Sequence, residues 1–348
     1  MSSTIYDIAK EAGVSIATVS RVFNNSSSVT AKTRDKVLAV AEKIGYHPRA
    51  LAQSLARKKT GIITVIVPVI SNYFFMEVLA GMQDKIADYD YDLQIFNVKM
   101  ADDLLGQAND IMKRGWGEGY IVISVHLADS EWEKLRRYGV PVVLIDEYFH
   151  GFDTISVDSI EGAYTATNHL IEEGYRSIGM ICAMQESKPS YERVLGYRRA
   201  MEDAGHLVNP DMIVTGDNME RDGFTEVNGY EAMSKLLEMK QPPEACFCAS
   251  DIQALGAVKA MRDYGKHMSI IGFDDLQFSE YFGLSTMRQP MYDMGVLSID
   301  KIISRIDNKE TDITHTVFSP DLVLRNSSPR YAGMAPEKVK PAQSGSPT

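Results

Sequence analysis

The sequence predicts an α/β protein. A small domain of three helices that carries a helix-turn-helix comes first, a short helical linker follows, and a two-lobed body with doubly wound parallel sheets makes up the rest. Three observations indicate this. The segment TIYDIAKEAGVSIATVSRVFN at Thr4–Asn24 holds two helical patterns separated by a glycine. Strand and helix patterns alternate in two series from Gly61 onward. The 348 residues also exceed what one hydrophobic core usually organises.

The composition is that of an ordinary soluble globular chain, with 45% apolar and 24% charged residues. No apolar run reaches the roughly 18 residues of a membrane span, and no basic segment followed by an apolar one opens the chain. We therefore expect a cytoplasmic protein without a membrane partner.

Three cysteines do not make a disulfide framework. Cys246 and Cys248 lie two apart, so on a strand they share a face, where core packing is favoured over metal binding.

The charge is divided unevenly along the chain. Residues 1–60 hold ten Lys and Arg against four Asp and Glu, whereas the remainder holds 26 against 43. A basic segment favours contact with nucleic acid, and an acidic body keeps away from it. This division predicts that the N-terminal domain meets nucleic acid.

The first element is a helix that Thr4 caps with help from Asp7, and Gly13 ends it because the reversal favours a residue that accepts positive φ. Ser15 caps the second helix, which runs to about Phe23. A third helix follows Thr30 and ends at Gly45, and we expect its inner face to carry Val37, Leu38, Ala41 and Ile44.

This order of short helix, glycine turn and second helix is typical of the helix-turn-helix, whose second helix enters the major groove. A helical domain without any nucleic-acid role is the alternative interpretation. The longer pattern favours DNA binding: DIAKEAGVSIATVSRVFN, VTAKTRDKVLAVAEKIGYHP and ALAQSLA together closely resemble the headpiece of the lactose-repressor (LacI/GalR) family.

The resemblance assigns roles to individual residues. Ile16 and Ala17 stand at the two positions that vary with operator sequence, and their small apolar side chains suit thymine methyl groups. Arg21 matches the arginine that reads guanine edges. Contacts to phosphates or base edges are implied for Ser15, Thr18, Ser20 and Asn24, and contacts to the DNA backbone for Lys32, Thr33 and Arg34.

The segment RALAQSLARKKTG matches the family's hinge helix, which pairs with its dimer mate in the minor groove. Ala52 and Leu55 lie on its apolar face, and Leu55 matches the leucine that opens the central base step. An ordinary linker helix with a core leucine is the alternative. The predicted boundaries are a headpiece at 1–47, a hinge at 48–60, a body at 61–328 and a disordered tail at 329–348.

Within the body, the alternation predicts two doubly wound lobes with a ligand cleft outside the carboxyl ends of the strands. The first series has strands at 61–69, 92–98, 119–124 and 141–147, with helices near 74–91, 101–113 and 130–138. The second begins near Ser159 and has strands at 177–183, 244–250 and 269–275, with helices near 191–204, 228–239 and up to Tyr264.

Two other classes of protein share parts of this pattern. An enzyme would need a catalytic motif, but neither a phosphate-binding G-x-x-x-x-G-K-[ST] loop nor a G-x-S-x-G elbow is present. Asp146, Asp251 and Asp274 at strand ends resemble an acid/base set, yet behind a DNA headpiece they read better as acceptors for ligand hydroxyls. A secreted solute-binding protein would lack the headpiece. We predict no cofactor and no metal.

The body resembles the LacI/GalR effector domain and its periplasmic-binding-protein-like relatives in SNYFFMEVLAGM, ERVLGYRRAM, ASDIQALGAVKAM, IIGFDD and MRQP. Aromatic, carboxylate, amide and guanidinium groups at these places form a set that suits a sugar. The resemblance implies an effector pocket made by Asn72, Phe74, Phe75, Asp146, Arg193, Phe224, Ser250, Asp274 and Gln289.

Several points stay open in the sequence. One of Phe74 and Phe75 belongs to the core, Arg193 has Glu192 as an alternative partner, and Asp251 is an alternative helix cap. The chain departs from the family where Glu147 follows Asp146 in place of the positive residue of ribose-type binders, and where NMERDGFTEVNGYEAM inserts residues before Phe224.

These features predict a homodimeric repressor of carbohydrate-utilisation genes that binds a near-palindromic operator in double-stranded DNA, because two-fold symmetry doubles the few contacts of one headpiece. A sugar-like effector controls it. Purine-responsive members of the family use similar pocket residues, and RQPMYDMG resembles the global catabolite regulators that take a phosphoprotein partner. Both remain alternatives.

Overall fold

The computed structural model describes residues 4–23, 28–46, 60–68, 73–99, 103–185, 187–309 and 312–329. The headpiece consists of α1 (Ile5–Ala12), α2 (Ile16–Phe23) and α3 (Ala31–Lys43). The predicted cap of α1 is confirmed, since the Thr4 backbone N–H donates to Asp7 at 2.8 Å and Gly13 ends the helix at φ 62°.

The headpiece core is small, and it corrects one prediction about α3. Val37 is fully buried, but its neighbour Leu38 is 45% exposed. Each residue turns an α-helix by about 100°, so the stripe that contains Val37 and Ala41 leaves Leu38 beyond its edge. The buried residues of this core are Ile8, Ala9, Ala12, Val19, Val22, Val37 and Ala41.

The first lobe of the body begins with β1 (Ile62–Val67), α4 (Tyr73–Ile86), β2 (Asp92–Asn97), α5 (Leu104–Lys113), β3 (Gly119–Ile123), α6 (Asp129–Arg136), β4 (Val142–Ile145) and β5 (Asp153–Val157). The strands of its sheet are all parallel. The predicted strands β1 to β4 are confirmed, and β5 is an additional strand.

The second lobe contains α7 (Ser159–Glu172), β6 (Ile178–Ile181), α8 (Lys188–Asp203), β7 (Ile213–Val214), α9 (Glu226–Leu237), β8 (Ala245–Cys248), α10 (Asp251–Asp263), β9 (Ser269–Asp274), α11 (Gln277–Phe282) and β10 (Ser285–Arg288). Cys246 and Cys248 are fully buried in its core, as predicted. No helix within these ranges is long and apolar enough to cross a membrane.

The chain then returns to the first lobe. The helix α12 (Met291–Ile306) packs on α4, and β11 (His315–Phe318) joins the sheet beside β5 before β12 (Asp321–Val323) pairs antiparallel with β10. Glycines allow this close return: a Cβ at Gly81 would lie 2.0 Å from the Tyr292 carbonyl oxygen, and one at Gly295 would lie 2.0 Å from that of Val78. The prediction of one strand–helix series per lobe is therefore incomplete, because the first lobe also contains α12 and β11 from the end of the chain.

Two six-stranded sheets result, with the strand orders β2-β1-β3-β4-β5-β11 and β7-β6-β8-β9-β10-β12. The chain crosses between the lobes after β5, after β10 and after β11. Because the strands of each sheet are almost all parallel, their carboxyl ends meet along one edge per lobe, and these edges border the cleft.

Candidate functional site

The exposed start of α2 is the candidate DNA-reading surface. Ile16 is 43% exposed although it is large and apolar, and Ser15 and Ala17 beside it are also exposed. The Ser15 hydroxyl accepts from the Thr18 backbone N–H at 3.1 Å. Ser15 therefore caps α2, as expected, and leaves the first side chains of this helix open to a partner.

Positively charged residues flank this surface. Arg21 and Lys32 are exposed, whereas Thr18, Ser20, Thr33 and Arg34 are half-exposed. Arg34 donates to the Val22 carbonyl oxygen at 3.4 Å, near the C-terminal end of α2. Its guanidinium thus joins α3 to α2, which suits a cation beside the carbonyl end of a helix dipole. Three predicted DNA contacts, Asn24, Ala52 and Leu55, lie outside the described residues.

A cavity of about 350 Å³ lies between the two lobes of the body. Eight predicted effector residues line it together, and the ninth, Asn72, lies outside the described residues. First-lobe residues on its wall are Pro68, Phe74, Phe75, Ser124, His126 and Asp146. Second-lobe residues are Ser187, Pro189, Arg193, Glu220, Arg221, Asp222, Phe224, Ser250, Ile252, Asp274 and Gln289.

Backbone strain is concentrated at this cavity. Non-glycine residues rarely adopt positive φ, and they persist there only where the surrounding structure holds them. Of the seven such residues in the described part of the chain, five are on the cavity wall: Ser124, Asp146, Arg221, Asp222 and Asp274. Strand ends and one turn therefore hold an uncommon backbone conformation at the cavity wall.

Arg193 is the most completely buried charge of the cavity, at 4% exposure. One terminal nitrogen donates to the Ala249 carbonyl oxygen at 2.5 Å and lies 4.0 Å from Asp274 Oδ1. The guanidinium lies 3.8 Å from the centre of the Phe273 ring. Its Nε is buried and has no hydrogen-bond partner among the described residues. Glu192 lies 3.8 Å from Lys188, whereas the carboxylate that lies 4.0 Å from Arg193 is that of Asp274.

Two carboxyl groups of the cavity are less acidic than usual. Burial raises the pKa of Asp146 to about 6, although the charge of Arg193 opposes the shift. Burial likewise raises the pKa of Asp274 to about 6, against the effect of Arg193 and of a hydrogen bond from Gln289. Ser124 donates to Asp146 at 3.0 Å, and Gln289 to Asp274 at 2.5 Å. Both carboxylates keep lone pairs for a ligand.

Asp251 supports the cavity without lining it. Its buried carboxylate accepts from the Leu276 backbone N–H at 2.9 Å, from the Ser279 hydroxyl and from the Thr286 hydroxyl, the last two at 2.6 Å. These bonds hold the loop that follows Asp274. The helix cap of α10 is Ser250, whose hydroxyl accepts from Gln253, so the capping role considered for Asp251 is wrong.

The aromatic residues divide as expected between core and cavity. Phe75 is buried in the first-lobe core, and the partly buried Phe74 packs edge-on against it at 5.5 Å. On the opposite lobe, the Phe224 ring lies 5.9 Å from the Arg193 guanidinium. Phe74 and Phe224 thus supply apolar walls on the two sides of the cavity.

Sequence reasoning missed His126, Ser124, and the turn at Glu220–Asp222. Ser124 and His126 follow β3 directly, and this position just beyond a strand end is a signal that could have found them. The turn lies in the segment that departs from the family, which marks it as different without showing where it points.

Comparisons with known proteins match both parts of the chain. The model for bacterial regulatory proteins of the lacI family matches residues 4–49, and that for a periplasmic binding protein-like domain matches residues 167–328. Catabolite control protein A of Priestia megaterium is 35% identical over 320 residues, which cover 89% of this chain and 94% of that relative.

This chain belongs to the LacI family.

Solved structures agree with the fold of a LacI-family regulator. A lac repressor dimer bound to operator and an anti-inducer matches with a TM-score of 0.83 at 23% identity, over 94% of this chain and all of that one. The transcriptional regulator CelR in complex with cellobiose matches with a TM-score of 0.70 at 25% identity, over 93% and 99%. The predicted class is confirmed: this is a LacI-family DNA-binding transcription regulator and not an enzyme.

Proposed function

We propose that this LacI-family regulator represses carbohydrate-utilisation genes and that a small sugar-like effector, bound between the lobes, sets its operator affinity. The observation that carries the proposal is the convergence of Arg193, Asp146 and Asp274 on the wall of the cavity between the lobes. Donor and acceptor groups that face one cavity match a ligand that both donates and accepts hydrogen bonds. A hydroxyl that donates to Asp274 and accepts from Arg193 would satisfy both groups at once.

The charges of the cavity favour a neutral ligand. Four carboxylate residues, Asp146, Glu220, Asp222 and Asp274, line it, against the cationic Arg193 and Arg221 and the imidazole of His126. A phosphate group would meet as much negative as positive charge there. The volume of about 350 Å³ lies toward the small end of ligand pockets, which span roughly 300–1,000 Å³. An uncharged monosaccharide-sized or slightly larger polyol suits this space.

A related regulator supports this ligand class. CelR shares 25% of its sequence with this chain over nearly its whole length and holds cellobiose in its solved structure. The aromatic walls at Phe74 and Phe224 would cover the faces of a sugar ring, while the strand-end polar groups would bond its edge.

The surface charge disfavours the phosphoprotein alternative. The segment RQPMYDMG leads into α12, where Tyr292 donates to Asp84 at 2.9 Å. On the same pair of helices, Lys85 lies 3.1 Å from Asp88 and 3.3 Å from Asp300. Carboxylates thus surround Lys85 on this face, and their negative charge disfavours a phosphorylated partner.

On DNA, we propose that α2 enters the major groove. Ile16 and Ala17 would meet thymine methyl groups, Arg21 would read a guanine, and Ser15, Thr18 and Ser20 would fix the register, while Lys32, Thr33 and Arg34 hold the backbone. Ala52 and Leu55 of the hinge would act in the minor groove. The regulator would do this in the cytoplasm, where family members meet their operators.

A second copy of the chain is the proposed partner of an exposed apolar surface on the second lobe. Tyr281 is 80% exposed and Phe282 is 58% exposed, and Phe282 borders a groove with Val227, Leu255 and Val258 between α9 and α10. Large exposed apolar groups of this kind mark interaction sites. A homodimer built here would present two headpieces to a near-palindromic operator.

Two measurements test these proposals. A thermal-shift screen of neutral sugars, sugar phosphates and purines should give stabilisation by a neutral sugar; stabilisation only by a purine or a phosphorylated compound would contradict the ligand class.

In sedimentation, Phe282→Asp should give a monomer, whereas Leu207→Asp, at a residue 90% exposed elsewhere on this lobe, should leave the dimer intact. A dimeric Phe282→Asp variant would place the interface elsewhere.

A further inference from the structure

A turn of the second lobe reaches across the cleft to a histidine of the first lobe. Asp222 Oδ2 lies 3.3 Å from His126 Nε2, and the other ring nitrogen, Nδ1, contacts Glu147. His126 and Glu147 follow β3 and β4 of the first lobe, whereas Asp222 precedes α9 of the second. One imidazole thus bridges two carboxylates that belong to different lobes.

The geometry requires a charged imidazole. Ionised carboxylates only accept hydrogen bonds, so both ring nitrogens must carry a proton when each faces one. Burial, the largest influence, lowers the pKa of His126, but the hydrogen bonds to Asp222 and Glu147 outweigh it and raise the pKa to about 10. The other charged groups on this cavity wall are Asp146, Arg193, Glu220, Arg221 and Asp274.

The turn that carries Asp222 is fixed to its own lobe. Arg221, Asp222 and Gly223 all have positive φ, at 52°, 58° and 86°. The Met184 backbone N–H donates to the Asp222 carbonyl oxygen at 2.7 Å, and Gln253 donates to that of Gly223 at 3.1 Å. A strained turn held from both sides in this way presents the carboxylate in a defined position.

We propose that Asp222 and His126 form an ionic latch between the lobes, and that this latch positions the cleft wall against the ligand. A second contact lies nearby, since Lys188 of the second lobe stands 5.8 Å from the centre of the Tyr148 ring of the first. Both ring nitrogens of His126 face carboxylates, so the imidazolium has no free N–H to bind a phosphate group of a ligand. A role of the latch in regulation rests on the proposed function, because only a ligand bound in the cleft would link effector binding to closure of the latch.

The latch makes a prediction for the ligand-free, full-length protein. The pKa of His126 is measured by NMR titration of histidine ring carbons, with the resonance assigned by its loss in His126→Gln. In Asp222→Asn the pKa should fall by about 1 pH unit or more, since one of two neighbouring charges is removed. Asparagine tolerates the left-handed backbone, so the turn is retained. Asp217→Asn, which removes the carboxylate that lies 2.8 Å from Lys235 in the same segment, is the matched control.

A fall in Asp222→Asn with no change in Asp217→Asn would establish the contact in solution, and because the partners belong to different lobes it would also show that the cleft is closed on this side. An unchanged pKa in Asp222→Asn, or an equal fall in both variants, would overturn the latch. No sugar takes part in the titration. A sugar screen without a hit would therefore contradict the proposed function and leave this result standing.

Discussion

The headpiece and the cleft place their functional residues in opposite ways. In the headpiece, the predicted DNA contacts among the described residues lie on α2, its cap Ser15 and α3, around a core of short apolar side chains. In the cleft, the lining residues run from Pro68 to Gln289 and come from strand ends, helices and a turn of the two lobes. A local motif therefore determines the first surface, whereas the second exists only when the whole body has folded.

The two regions also use charge differently. The contact surface of the headpiece is exposed and basic, so its charges interact with DNA through water and counterions. In the cleft, Arg193 and Asp274 are buried and lie 4.0 Å apart. Removing a buried charge partner has large local effects, while an exposed cation contributes less and in a salt-dependent manner.

Breaking the headpiece core should give the largest effect and leave the cleft intact. Val37→Asp puts an unpaired charge into a fully buried site, which we expect to cost more than about 4 kcal/mol and to unfold this small domain. Operator binding should be lost while effector binding, measured by calorimetry, stays normal.

Leu38→Asp is the matched control, because it introduces the same charge at the adjacent, exposed residue. Stability should change by less than about 0.5 kcal/mol, and operator binding should persist. Equal loss of operator binding in both variants would mean that added negative charge, not the core, is responsible.

Removing the central cation of the cleft should have the next largest effect. Arg193→Ala should weaken effector binding by roughly ten- to a hundredfold, since charge-assisted hydrogen bonds contribute about 1.5–3 kcal/mol. Arg199→Ala, on the exposed side of the same helix, should bind the effector normally. Normal binding by both variants would place the pocket elsewhere.

In the headpiece, Arg21→Ala should cost about 1–3 kcal/mol of binding to the operator and much less on random DNA, if Arg21 reads a guanine. Fluorescence anisotropy on both DNAs at one salt concentration measures the difference. An equal loss on the two DNAs would make Arg21 a phosphate contact.

The smallest effect is one of pH, and only the cleft should show it. The pKa of Asp274 is about 6, as is that of Asp146, so both carboxylates are ionised above this pH and become protonated below it. If the effector bonds the ionised Asp274, its affinity should be constant above pH 7 and fall roughly fourfold by pH 5.5. Asp274→Asn should remove part of this pH dependence of effector affinity. An effector affinity that stays constant from pH 7 to pH 5.5 in the wild type would contradict the role of the ionised Asp274.

The same contrast explains what could be predicted from the sequence. The cap at Thr4, the turn at Gly13 and the strand-end residues of the cleft depend on local patterns or on a family resemblance, and they were predictable. The return of α12 and β11 to the first lobe depends on which surface buries them, which periodicity does not encode. The contact between Asp222 and His126 depends on a left-handed turn and on the approach of two lobes, so no local pattern predicts it.

The central claim is that DNA reading and effector binding belong to separate regions that the body links. Its most direct test is an operator titration of wild type and Arg193→Ala, each with and without the effector found by screening. Without effector, the two proteins should bind operator within about twofold of each other, because Arg193 is a residue of the cleft and not of the headpiece. The effector should shift the affinity of the wild type alone. A loss of effector-free operator binding in Arg193→Ala, or an equal effector shift in both proteins, would contradict the account.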